Sequence, residues 1–204
     1  MNQPLATRDQ LLREARKVFA DKGFNGGSVR AITSAAGANL GAVSYHFGSK
    51  EALYHAVLAS VWAEAGEAVA RESRREAPPL DRLEAILGVI FMQVAAQPDL
   101  GRLMLRELAE TRPVPPPIRE HLGRLAGTIK AILAEGQADG SIVAGDPQLL
   151  VLSFMAQPFH VLAVRDRLRD VLGLPAQEEA VFERVVNNAV AFARRGLSAP
   201  GRSA

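Results

Sequence analysis

The sequence has no cysteine, one tryptophan and two tyrosines, and aromatic residues make up only 5% of its 204 positions. The absence of cysteine excludes a disulfide framework, a thiol nucleophile and any cysteine-ligated zinc or iron–sulfur centre. Scarcity of aromatics argues against a strand-rich fold, while abundant Ala, Leu, Arg and Glu favours helix. No apolar run reaches the length of about 20 residues that a membrane-spanning helix requires. The most apolar stretch, Leu149 to Val164, is interrupted by Ser153, Gln157, Pro158 and His160 and reads as a buried or interface helix. Arg8, Asp9, Arg13, Glu14, Arg16 and Lys17 leave no room for the apolar core of a signal peptide. The expectation is a cytoplasmic protein with no membrane partner.

What the chain does have is 48% hydrophobic residues and 24 Lys+Arg against 22 Asp+Glu. A chain of this length can bury about 70% of its unfolded surface, which suffices for a packed core. The net charge of +2 is uninformative until it is divided. Residues 1–55 hold seven basic and four acidic side chains, a balance of +3, and the remainder carries −1. A small basic head precedes a larger, nearly neutral apolar body, without internal repeats or low-complexity tracts.

Periodicity and capping predict three helices in the head. Thr7 and Gln10 form a capping box for the first, which carries Leu12, Ala15 and Phe19 at helical spacing and stops at Gly23. Ser28 caps a second helix ended by Gly37, and Asn39 caps a third from Leu40 to Phe47. Six further helices follow. They run from Ser49 or Lys50 to about Arg75, Asp81 to Ala96, Pro98 to about Thr111, Ile118 to Ala138, Pro147 towards Leu172 with a kink near Pro158, and Gln177 to Arg195. The proline-rich segment Pro113–Pro117 is expected to be a connector.

Two short helices joined by a tight glycine-containing turn form the helix-turn-helix pattern. The segment SVRAITSAAGANLGAVSYHFGSK, from Ser28 to Lys50, closely resembles the signature of TetR-type bacterial transcriptional regulators. Gly23-Phe24 before it and Glu51-Ala52-Leu53-Tyr54 after it share that resemblance, which covers about residues 7–58. Asn39 to Lys50, with Leu105-Arg106-Glu107-Leu108 and the prolines after it, further resembles the CecR (YbiH)-like subgroup.

A recognition helix must present small or polar side chains where it meets base edges. Gly41, Ala42 and Ser44 fit that face, with Val43 and Phe47 turned inward. Ala42 is placed to touch a thymine methyl, Ser44 to bond a base or phosphate, and Arg30 to reach a guanine edge or a phosphate. For Leu40 two readings stand: an apolar contact with a thymine methyl, or packing at the turn. The resemblance implies phosphate contacts from Lys50, at the start of the fourth helix. Tyr45, His46 and Ser28 are the other candidates for such contacts, although all three also fit structural roles. No Asp, Glu, Lys or Arg lies between Ala31 and Ser49, so few phosphates are neutralised and a modest salt dependence follows.

The body carries no comparable chemical signature. His46, His55, His121 and His160 are scattered, so no metal or cofactor is expected. Ser153, His160 and Asp166 lie along one helix and cannot converge as a hydrolase trio. The resemblance implies an all-α homodimer: a helix-turn-helix DNA-binding head (residues 1–48) and a six-helix effector-binding and dimerisation bundle (residues 49–204). It further implies a palindromic double-stranded DNA operator, a small-molecule effector, and a regulator rather than an enzyme. Trp62, Phe91, Met92, Met104, Arg106, Phe154, Met155, Phe159 and His160 are the candidate effector-pocket residues, each equally suited to ordinary core packing. The resemblance also implies dimerisation through the last two helices, here those carrying Leu149, Leu150, Leu152, Val185, Val186, Ala189 and Phe192.

Overall fold

The computed structural model describes residues 4–109 and 113–200, and for some helical residues, Trp62 and Met104 among them, the backbone alone. The described chain is helical throughout: α1 (Pro4–Gly26), α2 (Val29–Ala35), α3 (Ala42–Phe47), α4 (Lys50–Ser73), α5 (Pro79–Ala96), α6 (Pro98–Ala109), α7 (Pro116–Ala138), α8 (Pro147–Val164), α9 (Leu168–Leu172) and α10 (Glu179–Leu197). A lone bridge between Ile142 and Ser198 is the closest approach to a sheet among the described residues.

Proline sets many of the helix starts. α1, α5, α6, α7 and α8 each begin on one, where the missing N–H costs nothing and φ is already helical. This corrects two expectations. α1 starts at Pro4, so Thr7 lies inside it, and Pro116 and Pro117 form the first turn of α7 instead of belonging wholly to a connector. The fifth body helix ends earlier than expected: Pro158 lies within α8, and the helix gives way at Arg165–Arg167 to a 3₁₀ turn before α9. α1 continues to Gly26 across a break at Gly23, whose φ of 69° lies in the left-handed region open to glycine.

The chain forms two compact units. One comprises residues up to 64 together with 97–121, so α6 and the start of α7 belong with α1, α2, α3 and most of α4. Its core is built from Leu11, Ala15 and Phe19 at four-residue spacing on α1, Ile32 and Ala36 on α2, Val43 on α3, and Leu53, Tyr54, Val57 and Leu58 on α4. Tyr54 meets Phe19 edge-on at 4.9 Å and Phe24 at 5.0 Å between ring centroids, a geometry aromatic pairs favour.

Among the described residues, three polar links tie the α6 region into this unit. Arg16 Nη2 donates to Gln97 Oε1 at 2.7 Å, Arg106 Nη2 donates to the Asp21 carbonyl at 2.6 Å, and the buried Tyr54 hydroxyl donates to the buried Glu107 carboxylate. A Cβ on Gly23 would stand 3.3 Å from Arg106 Nη1, so the break in α1 and the guanidinium are close neighbours.

The second unit, residues 65–96 and 122 onward, has its own core. Leu83, Ile86, Leu87 and Phe91 of α5 meet Leu125, Ile129, Ile132 and Leu133 of α7, Val151 and Phe154 of α8, and Phe182, Val186, Ala189 and Ala193 of α10. Arg194 joins α10 to α5 by donating to Asp81 at 2.8 Å and Glu84 at 2.7 Å. The Asp81 hydrogen bond, helped by Glu84 against the cost of desolvation, holds its guanidinium pKa above the ordinary value.

Gly136 on α7 is a packing glycine. A Cβ there would collide with the Ile142 side chain, which is buried and whose N–H donates to the Gly136 carbonyl at 2.9 Å. Gly136→Ala is expected to cost about 1–3 kcal/mol by overpacking, read as a Tm lower by about 2–4 °C per kcal/mol. Ile142→Val in the same chain should recover part of the loss; an unchanged Tm for Gly136→Ala alone would refute the clash.

Candidate nucleic-acid interface

The geometry of residues 28–50 follows from local chemistry. Ser28 Oγ accepts from the Ala31 N–H at 3.1 Å and starts α2, while Ser49 Oγ accepts from the Ala52 N–H at 3.0 Å and starts α4. Between them Gly48, at φ 83°, turns the chain sharply after α3 in a conformation a side chain would resist. α3 begins at Ala42 and its cap position is Gly41, without a side-chain cap hydrogen bond, so Asn39 does not cap a helix from Leu40 as expected. Asn39 instead accepts the Ala42 N–H on its backbone carbonyl at 3.1 Å, leaving its exposed amide ahead of α3. A carboxamide there can pair with an adenine edge. Sequence reasoning missed it because a cap and a contact residue look alike in the sequence.

The side chains then divide between the core and the outer face. Val43 is buried as expected, but Ala42 is 6% exposed and turned to the core, so it offers no methyl to an outside partner. Leu40, Gly41, Ser44 and Tyr45 remain exposed, with Leu40 at 62% and Tyr45 at 80%. Leu40 therefore does not pack at the turn, and Tyr45 does not cap the core. His46 is half-buried and meets Tyr45 edge-on at 4.8 Å. Arg30 and Ser28 are exposed at the start of α2. Lys50 is half-buried with its ammonium 4.6 Å from the Phe24 ring centre, and Arg8 lies 5.0 Å from that of Phe47. These cation–π contacts hold one positive charge against Phe47 of α3 and another against Phe24.

Among the described residues, the candidate effector side chains of the second unit fall at separate places. Phe91 and Phe154 are buried in the core of the second unit, and Met155 packs partly against it. Phe159 is half-buried. His160 borders a cleft of about 600 Å³ with Val161, Leu168, Leu172, Arg184 and Asn188, whereas exposed Met92 borders another depression with Asp81, Glu84 and Glu183. Arg106 is held by the Asp21 carbonyl. The side chains of Trp62 and Met104 lie outside the described residues. Among the described residues no three metal-ligating side chains are grouped to hold an ion, and no helix is long and apolar enough to cross a membrane.

On the last two long helices, the expected interface residues separate into two faces. Val186 and Ala189 belong to the core, Leu150 and Val185 are half-buried, and Leu149, Leu152 and Phe192 are more than 60% exposed.

Residues 11–57 match the family model described as bacterial regulatory proteins, tetR family, and residues 79–192 match that described as tetracyclin repressor-like, C-terminal domain. The chain is 30% identical over 137 residues to the HTH-type transcriptional repressor NicS of Pseudomonas putida, a match covering 66% of this chain and 65% of that repressor. It is 26% identical over 190 residues to the HTH-type transcriptional regulator RutR of Escherichia coli, covering 90% and 86% respectively. The structure of FadR from Bacillus subtilis in complex with stearoyl-CoA superposes with a TM-score of 0.77 at 19% identity, over 92% of this chain and 98% of that one.

Proposed function

The chain belongs to the TetR family of bacterial regulatory proteins, and on that premise we propose that it is a ligand-responsive repressor that binds a palindromic operator as a homodimer. The observation that carries this reading is the exposed strip of Leu40, Gly41, Ser44 and Tyr45, carried on a packed three-helix core with Arg30 on α2 and Lys50 at the start of α4. Gly41 and Ser44, small and polar at the front of a short helix, suit entry into the major groove, and the flanking cations suit the phosphates.

The division of labour follows residues 1–48 and 49–204. The head reads DNA, and the body binds a small molecule and the second copy. FadR, solved in complex with stearoyl-CoA, is a precedent for a small organic ligand on this fold. Release is a population shift: the effector favours a conformation in which α4 has swung and the two heads no longer match successive grooves. Tyr54 on α4 is tied to Glu107 on α6, so a displacement of α6 acts on α4 through a buried hydrogen bond. The chemistry is regulatory and not enzymatic, and its place is the cytoplasm, where the DNA is.

The test is operator binding. Duplex DNA from upstream of the protein's own gene should give a sequence-specific complex of two protomers, with half-sites about 34–36 Å apart or a multiple of that. Lys50→Ala should weaken binding about equally on all sequences, while Arg30→Ala should in addition relax specificity if its guanidinium reads a base. Competition by random DNA as effective as by the selected site would defeat the proposal. Equal operator affinity with every bound small molecule would defeat the switch alone.

A further inference from the structure

Leu40 and Gly41 stand next to each other at the front of the exposed strip, and neither is explained by the protein's own packing. Leu40 is a large apolar side chain left 62% exposed on a turn whose neighbours are small or polar. Gly41 has φ −75° and ψ −12°, a backbone conformation open to every residue type. A Cβ added there would meet only Asn39 Oδ1, at 3.4 Å, among the described residues. Gly48 needs its glycine for a left-handed turn; Gly41 has no such internal reason.

A surface outside the protein accounts for both. Resting on the DNA-binding reading, we propose that Leu40 and Gly41 form a point of direct base readout, and that they read the C5-methyl group of a thymine, one in each half-site. The major groove offers a single kind of apolar group, that methyl, and otherwise presents donors and acceptors. No Lys, Arg, Asp or Glu lies between Ala31 and Ser49, so α3 brings no charged fork for a guanine edge. Leu40 supplies the apolar surface for the methyl. Gly41, having no side chain, lets the backbone come close enough for Leu40 to reach it, and Ser44, one turn on, bonds the adjoining edge or phosphate.

The experiment uses the full-length protein and an operator selected from random duplex DNA. Each thymine is replaced in turn by deoxyuridine, which removes only the methyl, and affinity is measured by fluorescence anisotropy at fixed salt. The wild-type protein should lose about fourfold at one thymine in each half-site, as one buried methyl group is worth. Leu40→Ala should bind more weakly and be indifferent to the same replacement. Gly41→Ser should keep or raise Tm, because the backbone there is helical and glycine is the costlier residue in that conformation, and still bind the operator at least tenfold more weakly. The inference is overturned if no deoxyuridine position affects the wild type, if Leu40→Ala remains as sensitive as the wild type, or if Gly41→Ser binds normally. Failure to select any sequence would instead bring down the DNA-binding reading itself, and this inference with it. That result is distinct from a selected operator indifferent to its methyl groups.

Discussion

Phe19→Ala is expected to lower the stability of the protein by about 3–5 kcal/mol, the cost of deleting a fully buried aromatic ring. Phe19 is completely buried, and its surroundings are poorly able to close over a void. Tyr54 meets it edge-on from α4, and Gly27 lies so near that a Cβ there would come within 2.8 Å of the ring. Two further chain segments therefore line the site, and collapse would require both of them to move. Domain stabilities are typically about 5–15 kcal/mol, so the loss is a large share of the whole. Urea unfolding at one fixed protein concentration is the measurement, because the apparent stability of a dimer depends on concentration. A loss below about 1 kcal/mol would mean that the site does relax, and that the head is not held as rigidly as its aromatic packing indicates.

The second large effect concerns the proposed dimer. Leu152→Glu with Phe192→Glu is expected to give a folded monomer at micromolar concentration. Both side chains are more than 60% exposed in the single protomer, so the substitutions remove little from its own core and helicity should be retained. A twofold interface is isologous, so the two substitutions bring four carboxylates into one apolar contact and leave them without counter-charges. Loss of the second head removes an avidity gain of about 10²–10⁴, which should appear as operator affinity falling by that order. Sedimentation and anisotropy read the two effects independently. A dimer that survives both substitutions would place the interface elsewhere.

Helix boundaries were largely legible because this chain punctuates with residues of restricted geometry. Pro79, Pro98 and Pro147 start helices where expected or within two residues of it, and Asp146 Oδ1 accepts from the Gln148 N–H at 2.8 Å as an ordinary cap. A residue type that serves two ends gives an ambiguous signal. Asn39 has the chemistry of a cap and of a base contact; Thr7 has the chemistry of a cap but sits behind a proline that begins the helix earlier. Helical periodicity also marks an apolar face without saying what it meets. Val186, Ala189 and Phe192 all looked suited to a partner chain, yet an arc of about 100° per residue turns the first two into the protomer's core and the third away from it. Ala42 turns to the core for the same reason. The exposed strip of α3 was otherwise readable because Val43 and Phe47 define its opposite side.

The membership of α6 in the head's compact unit had no local signal. It depends on Arg106 reaching a carbonyl 85 positions earlier and on Glu107 meeting Tyr54 across 53 positions, pairings that no periodicity encodes. Their practical meaning lies in the construction of chimeric regulators. Exchanging only the reading head at residue 48 would keep Tyr54, Arg106 and Glu107 but replace Phe19, Phe24, Asp21 and Gly23, against which two of them are fitted. A graft that also carries residues 97–121 from the donor would move the head with its own sockets, and should keep both its operator and its responsiveness.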